Sequence, residues 1–417
     1  MMNPCTHETH RPIGPGPALA GLYVHVPFCR GKCAYCDFYS VPASPERIAR
    51  WLGALAVEAS LHAGSFPGFD TLYLGGGTPS LLSVQELGAL LETLRRRFPT
   101  SPDAEISLEA NPDDATPEKI RAWRALGVNR VSMGVQSLEE RHLGLLGRRH
   151  NAAQALKALE RVQAAGFASW SADIIFGLPG QAPGELAQEL ERLLSFGPPH
   201  VSCYQLTPAR GTPLQRILES GRIVLPGEEE QRGLFLAASR LLEDRGYLHY
   251  EVSNFCRRPG GAGARDLCRP GAAHGCGDAP ATGMQASERT SHACRHNLKY
   301  WTREPYLGLG PSAHSFRGNE RWWNPGSLDR YCRALEGNRA SAGGRETLTT
   351  EQERLEALSL GLRTRSGILK RELLSFPGAG EALPRLLRDG LLEETGERVA
   401  PTPHGFLVAD RLPLLFL

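Results

Sequence analysis

Three cysteines lie close together near the start of the chain, in the stretch HVPFCRGKCAYCDFYS (residues 25–40). Cys29, Cys33 and Cys36 follow the spacing C-x3-C-x2-C. A structural zinc site usually takes four ligands in two separated pairs, and a cubane iron–sulfur cluster usually takes four cysteine thiolates. Three thiolates in one loop would leave one iron of a cubane open to a substrate or cofactor. The spacing therefore predicts a [4Fe-4S] cluster at these three residues, and incidental reduced thiols are the alternative.

The bulk composition indicates a soluble globular protein with more than one folding unit. The chain has 417 residues, of which 41% are hydrophobic and 22% charged, and its net charge is +2. So small a charge gives no broad reason to expect binding to nucleic acid or membranes. The sequence contains no apolar run of about 18 residues, as a transmembrane helix needs, and residues 1–20 do not have the pattern of a signal peptide. We therefore expect a cytoplasmic protein with no transmembrane segment and no nucleic-acid partner, whose cysteines stay reduced.

Strand-like and helix-like segments alternate over the first half of the chain. This alternation predicts parallel βαβ units that curl into a barrel or part-barrel, with a doubly wound sheet as the alternative. Ser44-Pro45 and Thr116-Pro117 are typical helix starts. The predicted strands are 22–26, 71–75, 105–109, 130–134, 172–176 and 201–205. The predicted helices are 45–63, 83–97, 117–126, 138–165 and 184–195.

Further candidate ligand-binding residues follow the later strands, where folds of this kind carry their chemistry. The stretch GGGTPS (residues 75–80) could bring its backbone close to a ligand and offer N–H donors, or it could form a plain tight turn. Glu109, Gln136 and Asp173 lie at or near strand ends, where buried polar groups need partners. A ligand with hydroxyl, amine and carboxylate groups could supply those partners, and structural hydrogen bonds or salt bridges are the alternative.

The stretch YVHVPFCRGKCAYCDFYS (residues 23–40) resembles the cluster loop of the radical S-adenosylmethionine (SAM) superfamily. Its lead-in, Y-x-H-x-P-F-C, is most similar to the oxygen-independent coproporphyrinogen III oxidase-like branch. The resemblance implies a (β/α)6 partial barrel and a [4Fe-4S] cluster whose fourth iron binds SAM. It also implies that Arg148 pairs with the SAM carboxylate and Asp173 with the ribose hydroxyls. The residues that match SAM-binding positions are Tyr23, Tyr35, Gly76, Gly77, Thr78, Glu109, Gln136, Arg148 and Asp173.

Residues 256–294 differ in composition from the rest of the chain. They are rich in Gly, Ala and Arg and poor in large apolar side chains, so we expect a flexible insertion. The segment nevertheless contains Cys256, Cys268, Cys276 and Cys294, whose spacing matches no zinc pattern. A further metal or haem site, or a thiol redox sensor, is the alternative.

The stretch HNLKYW (residues 296–301) follows this insertion. His296 and Tyr300 are four residues apart, so they share one face of a helix, and both residue types can bind iron. A structural role for His296 is the alternative. The stretch resembles the His-Asn-x-x-Tyr motif of the haem chaperones of this branch, which implies that His296 and Tyr300 contact haem. His314 is a weaker second candidate.

The residue pattern from about residue 349 to the end predicts helices followed by a strand–turn–strand, as in a winged-helix-like unit. Its charges are mixed in sign, so a structural or docking role is favoured over DNA binding. We therefore predict four parts of the chain. They are a flexible tail (1–20), a radical-SAM partial-barrel core (21–245), a barrel extension with the haem motif and the insertion (246–345), and a winged-helix-like C-terminal domain (346–417).

Two functions are compatible with the resemblance. One is a haem chaperone that binds haem, the cluster and SAM and transfers haem to an unidentified acceptor protein. The other is a radical SAM oxidoreductase acting on a porphyrinogen such as coproporphyrinogen III, which needs an electron donor to cleave SAM. The oxidases continue the loop as C-x3-C-x2-C-x-C, where this chain has Phe38, and have a longer region before the cluster. Both differences favour the chaperone.

Overall fold

The computed structural model describes residues 19–258, 292–339 and 343–417. The predictions for residues 1–18 and for Cys268 and Cys276 lie outside this range. The strands are β1 (Ala20–Val26), β2 (Phe28–Cys29), β3 (Val41–Pro42), β4 (Phe69–Gly76), β5 (Thr100–Ala110), β6 (Arg130–Gln136), β7 (Ser169–Phe176), β8 (His200–Gln205), β9 (Tyr247–Glu251), β10 (Asn254–Arg257), β11 (Tyr306–Leu309), β12 (His314–Arg317), β13 (Glu320–Trp323), β14 (Gly344–Thr347), β15 (Ile368–Leu369), β16 (Leu392–Thr395) and β17 (Arg398–Pro401). The helices are α1 (Pro45–Leu61), α2 (Val84–Arg97), α3 (Pro117–Ala125), α4 (Glu140–Leu146), α5 (Ala152–Ala165), α6 (Pro183–Leu194), α7 (Pro213–Glu219), α8 (Glu228–Asp244), α9 (Arg295–Trp301), α10 (Leu328–Glu336), α11 (Thr350–Gly361), α12 (Lys370–Leu373), α13 (Ala379–Arg388) and α14 (Pro403–Phe406).

Six parallel strands form the middle of the large sheet, and they are the six predicted from the sequence. They follow one another in the order β1, β4, β5, β6, β7 and β8, each parallel to the next. On its other side β1 pairs with β11, and β8 pairs with β10. The arc of strands therefore does not close on itself, and the predicted partial barrel is confirmed.

Helices cover the outer face of this arc because each presents an apolar stripe to it. Helix α1 buries Trp51 and Leu55 in the core. The side chains of Ser44 and Thr116 each accept a hydrogen bond from the backbone at the start of α1 and α3, as their positions before proline predicted. Within the described ranges, no helix is both long enough and apolar enough to cross a membrane.

The prediction of a single helix over residues 138–165 is wrong, because two helices occupy this range. Gly147 ends α4 in the left-handed conformation, with φ of 67°, and Asn151 begins α5 in a capping box with Gln154. Arg148 lies in the turn between the two helices. Because of this break, Arg148 lies in a turn and not within a continuous helix.

The last part of the chain contains a second, smaller sheet with strand order β15–β17–β16. Helices α11 to α13 pack on it around Leu358, Leu373 and Leu386, in a winged-helix-like arrangement with a hydrophobic core of its own. Strand β14 pairs with β13 of the large sheet and spans the predicted boundary at residue 346. That boundary, like the other predicted divisions of the chain, stays a prediction.

Candidate functional site

A cavity of about 510 Å³ lies at the carboxyl ends of the parallel strands. Strands β4, β5, β6, β7 and β8 each contribute residues to its wall, because parallel strands all end at the same edge of the sheet. All the predicted cluster and SAM residues except Tyr23 line this cavity. They are Cys29, Cys33, Cys36, Tyr35, Gly76, Gly77, Thr78, Glu109, Gln136, Arg148 and Asp173.

The cysteine loop forms one wall of the cavity. Thr78 Oγ1 lies 3.4 Å from Cys29 Sγ, and Arg148 Nη1 donates to Cys33 Sγ at 3.4 Å. Burial raises the pKa of the Cys36 thiol, and the neighbouring Cys33 and Cys29 raise it further. Three thiolates so close together therefore need positive charge nearby, which iron would supply.

The arrangement of these thiols fits a cubane better than a single ion. In the described part of the chain, no three His, Cys, Asp or Glu side chains converge as the ligands of one metal ion would. A cubane does not require such convergence, since each thiolate binds a different iron.

The glycines at the end of β4, Gly76 and the following Gly77, allow the chain to pass very close to the start of the cysteine loop. A Cβ on Gly76, whose φ is +104°, would lie 2.5 Å from the ring of His25, and one on Gly77 would lie 2.7 Å from the carbonyl oxygen of Phe28. Neighbouring protein atoms therefore exclude side chains here. The other side of Gly76 and Gly77 faces the cavity, so the backbone is also exposed to a ligand.

Two carboxylates lie in the cavity, and within the described ranges neither has a cationic partner on its oxygens. Glu109 accepts hydrogen bonds from Tyr73 Oη at 2.9 Å and from Gly76 N at 3.1 Å. Asp173 accepts from Ser132 Oγ at 2.9 Å and from Ser171 Oγ at 3.0 Å. Desolvation, with the nearby Asp173, raises the pKa of Glu109 to about 7, and desolvation also raises the pKa of Asp173. A positively charged ligand would stabilise both ionised forms.

Arg148 supplies a donor to the same cavity. Its Nη2 donates to Asn111 Oδ1 and to Gly134 O, both at 2.7 Å, while its buried Nε has no hydrogen-bond partner among the described residues. Gln136, the last residue of β6, has φ of 69°, a strained conformation that is found more often at functional sites.

The cavity thus offers a free cationic donor beside two carboxylates and three thiols. These groups fit SAM, which carries a carboxylate, an ammonium and a sulfonium group, together with a [4Fe-4S] cluster. When bound, the pair would supply a reducible iron centre with SAM on its open iron.

Tyr23 lies behind the wall and not in it. Its hydroxyl is 3.0 Å from His25 Nδ1, and its ring stacks on that of Tyr73 with 6.3 Å between the centroids. The sequence interpretation also missed cavity residues. Asn111 lies two residues after the predicted strand end at Glu109, and Tyr73 lies two residues before Gly75 on the same face of β4, so both positions could have been noticed. The missed residues include Tyr73, Asn111, Ser132 and Tyr204.

His296 and Tyr300 lie outside the lining of this cavity. His296 is 1% exposed, its Nδ1 lies 2.8 Å from Thr71 Oγ1, and its Nε2 lies 2.9 Å from Tyr300 Oη. The helix that carries them is joined to the middle of β5, where Glu105 pairs with Thr71 near the start of β4, because Glu105 accepts from the backbone N–H groups of Arg295 and His296. The structure therefore brings His296 and Tyr300 together, at the opposite end of the strands from the cysteines.

The second haem candidate and the described ends of the insertion lie elsewhere. His314 is exposed on β12 and stacks on Trp323 with 5.8 Å between the ring centroids. Cys256 lies within β10, and Cys294 immediately precedes α9. Both of these thiols are buried. The segment predicted to be flexible therefore begins and ends within packed structure.

Comparison with known proteins gives matches over most of the chain. Residues 23–193 match the radical SAM superfamily. A protein of Mycobacterium tuberculosis, haem chaperone HemW, is 36% identical over 397 residues, which cover 94% of this chain and 93% of that protein. The haem chaperone HemW of Bacillus subtilis is 30% identical, over 96% of this chain and 99% of that protein. The mitochondrial radical S-adenosyl methionine domain-containing protein 1 of Bos taurus is 31% identical, over 97% and 88%.

Among solved structures, coproporphyrinogen III oxidase HemN of Escherichia coli has a similar fold. The TM-score is 0.76 with 23% sequence identity, over 96% of this chain and 90% of that one. This likeness extends through the barrel to the C-terminal unit. At this level of identity it concerns the fold alone.

Proposed function

Because this chain belongs to the HemW family within the radical SAM superfamily, we propose that it is a haem chaperone. It binds haem, a [4Fe-4S] cluster and SAM, and it transfers haem to an acceptor protein. The observation that carries the proposal is the identity of 36% with a haem chaperone over 93% of that protein's length. The acceptor is a protein partner still to be identified, and a cytoplasmic location stays a prediction.

The cavity supports the cofactor part of the proposal. Cys29, Cys33 and Cys36 hold the cluster, Arg148 binds the SAM carboxylate through its free Nε, and Glu109 and Asp173 bind the cationic and ribose parts. Each of these groups has the charge or donor that its share of the ligand requires.

Phe38 supports the chaperone over a porphyrinogen oxidase. The related oxidases have a further cysteine at this position of the loop, whereas Phe38 lies at the cavity mouth with 63% of its surface exposed. A phenylalanine cannot bind iron, so any chemistry that needs a fourth thiol in this loop is not available to this chain.

Haem binding at His296 requires the present hydrogen-bond contacts of its ring to change. Both ring nitrogens of His296 lie within hydrogen-bond distance of hydroxyl groups, and its ring is almost fully buried. An iron ligand needs a free nitrogen lone pair, so at least one of these contacts must break. We therefore expect haem uptake to displace His296 from Thr71 or from Tyr300.

A haem titration of the anaerobically reconstituted protein, followed by optical spectroscopy with and without SAM, tests the proposal. We expect one haem per chain, and we expect His296→Ala to weaken the affinity at least tenfold, on the order of the loss of a metal contact. His249→Ala is the matched control, because His249 is equally buried and its ring nitrogens lie 3.0 Å from Ser239 Oγ and 3.3 Å from Val252 O.

One outcome would contradict the chaperone proposal, and another would contradict the proposed haem ligand. Oxidative decarboxylation of coproporphyrinogen III without haem uptake would make the protein an oxidase. Unchanged haem affinity in His296→Ala would remove His296 as an iron ligand, and His314→Ala would then be measured as the second candidate.

A further inference from the structure

Tyr73 lies between the cavity and α9 and contacts both. On the cavity side its hydroxyl donates to Glu109 Oε1 at 2.9 Å, while Gly76 N donates to the other oxygen at 3.1 Å. These two donors fix both oxygens of the carboxylate. The orientation of Glu109 in the cavity therefore depends on the position of Tyr73.

The other side of Tyr73 faces the haem motif. The ring of His296 stacks on that of Tyr73, with 5.2 Å between the centroids and 22° between the planes. His296 is itself held between Thr71, two residues from Tyr73 on β4, and Tyr300 on α9. His296 does not line the cavity. It contacts Tyr73, which lines the cavity and binds Glu109 there.

We propose that Tyr73 is a positioning residue that links the SAM end of the cavity to α9. Its hydroxyl orients the Glu109 carboxylate, and its ring is held in place by His296. The inference rests on the proposed SAM site. Because coupling between two binding events is reciprocal, moving His296 weakens SAM binding, and filling the SAM site stabilises α9.

The contacts of Tyr73 differ from those of a tyrosine that only fills the core. A core tyrosine such as Tyr247 donates its hydroxyl to a backbone carbonyl, that of Pro198. Tyr73 donates to a cavity-lining carboxylate, and this bond favours the ionised form that a cationic ligand needs. Loss of the hydroxyl therefore affects ligand affinity and not packing alone.

Calorimetric titration of SAM into the cluster-reconstituted, haem-free protein tests the first half of the link. We expect Tyr73→Phe, which keeps the ring, to weaken SAM binding about tenfold, the effect of one hydrogen bond to a charged group. Tyr247→Phe also removes a buried tyrosine hydroxyl and should leave SAM affinity unchanged. In a Glu109→Gln background, Tyr73→Phe should have no further effect, because Tyr73 acts through the carboxylate.

Hydrogen exchange tests the second half. Saturating SAM should slow amide exchange over residues 295–301 in the wild-type protein, and this response should be lost in Tyr73→Phe at its own saturating SAM concentration. Equal SAM affinity in wild type and Tyr73→Phe, full additivity with Glu109→Gln, or no response at 295–301 would each overturn the inference while the proposed function stands. Absence of SAM binding to the wild type would overturn both.

Discussion

Cys33 is the residue on which the cluster site can be tested most directly. It lies in the middle of the three-cysteine loop, and its sulfur accepts a hydrogen bond from Arg148. A cubane with only two protein thiolates is poorly held, so Cys33→Ala should lose the iron and the brown absorbance after reconstitution. Cys332→Ala, which removes a buried thiol on α10, should retain both. Unchanged iron content in Cys33→Ala would show that the loop does not bind the cluster.

Glu58 stabilises the fold away from the cavity. Its side chain is 2% exposed and accepts hydrogen bonds from Gly310 N at 2.9 Å, Asn324 Nδ2 at 2.6 Å and Tyr331 Oη at 2.5 Å. These bonds join α1 to the loop after β11 and to α10. Glu58→Gln turns an amide donor towards these donors and should lower the free energy of unfolding by about 1–3 kcal/mol. Glu92→Gln, on the surface, should have little effect.

The cost of Glu58→Gln should depend on pH. Burial raises the pKa of Glu58 to about 7, only partly offset by its three donors. The folded protein therefore holds this proton more tightly than the unfolded chain, and the contribution of Glu58 falls as the pH rises through 7. In urea unfolding the variant should lose more stability at pH 5 than at pH 8, and a larger loss at pH 8 would contradict this assignment.

At the scale of elements, the break between α4 and α5 sets the position of the cysteine loop. Gly147 has φ of +67°, and a Cβ there would lie 3.2 Å from Ala34 N, which donates to Leu146 O. Gly147→Ala should therefore destabilise the protein by about 1 kcal/mol and reduce cluster retention. Gly144→Ala, in the exposed interior of α4 with open space at its Cβ, should stabilise by roughly 0.5–1 kcal/mol. Thermal unfolding and iron analysis measure both, and equal effects would refute the argument.

Some elements and contacts could be predicted from the sequence, and others could not. The six parallel strands gave apolar runs because they are buried on both faces, and the cysteine loop was found because its ligands are close in sequence. The continuous helix over 138–165 was wrong because apolar periodicity continues across Gly147. The pairing of His296 with Thr71 joins residues 225 positions apart, and it depends on the curvature of the sheet. A local pattern carries no information on such a contact.

At the scale of the whole molecule, the partial barrel separates the cavity from the proposed haem motif on α9. The cavity occupies the carboxyl ends of the strands, and α9 packs near the start of β4 through Thr71 and against the middle of β5 through Glu105. Tyr73 lies between them, in the middle of β4. This separation would keep haem bound at the proposed His296 site apart from a SAM-bound cluster in the cavity.

The C-terminal unit is tied to the barrel by Phe406, and we expect the two to unfold together. Although this unit has its own hydrophobic core, Phe406 is buried in the core of the barrel and packs on His249 with 4.7 Å between the ring centroids. Backbone bonds from Val252 N to Arg363 O and from Arg365 N to Tyr250 O join the same surfaces. Phe406→Ala should cost about 3–5 kcal/mol and split the single urea transition into two, because the anchor between the cores is lost.

Leu414→Ala is the control for this last prediction, since Leu414 belongs to the same unit but is 65% exposed. It should keep one transition with an unchanged midpoint. Circular dichroism and tryptophan fluorescence would be followed together, because Trp51 and Trp123 lie in the barrel core and report on it separately from the total helix content. Two transitions in the wild-type protein would mean that the cores unfold independently, and that Phe406 fills space in the barrel without linking the C-terminal unit to it.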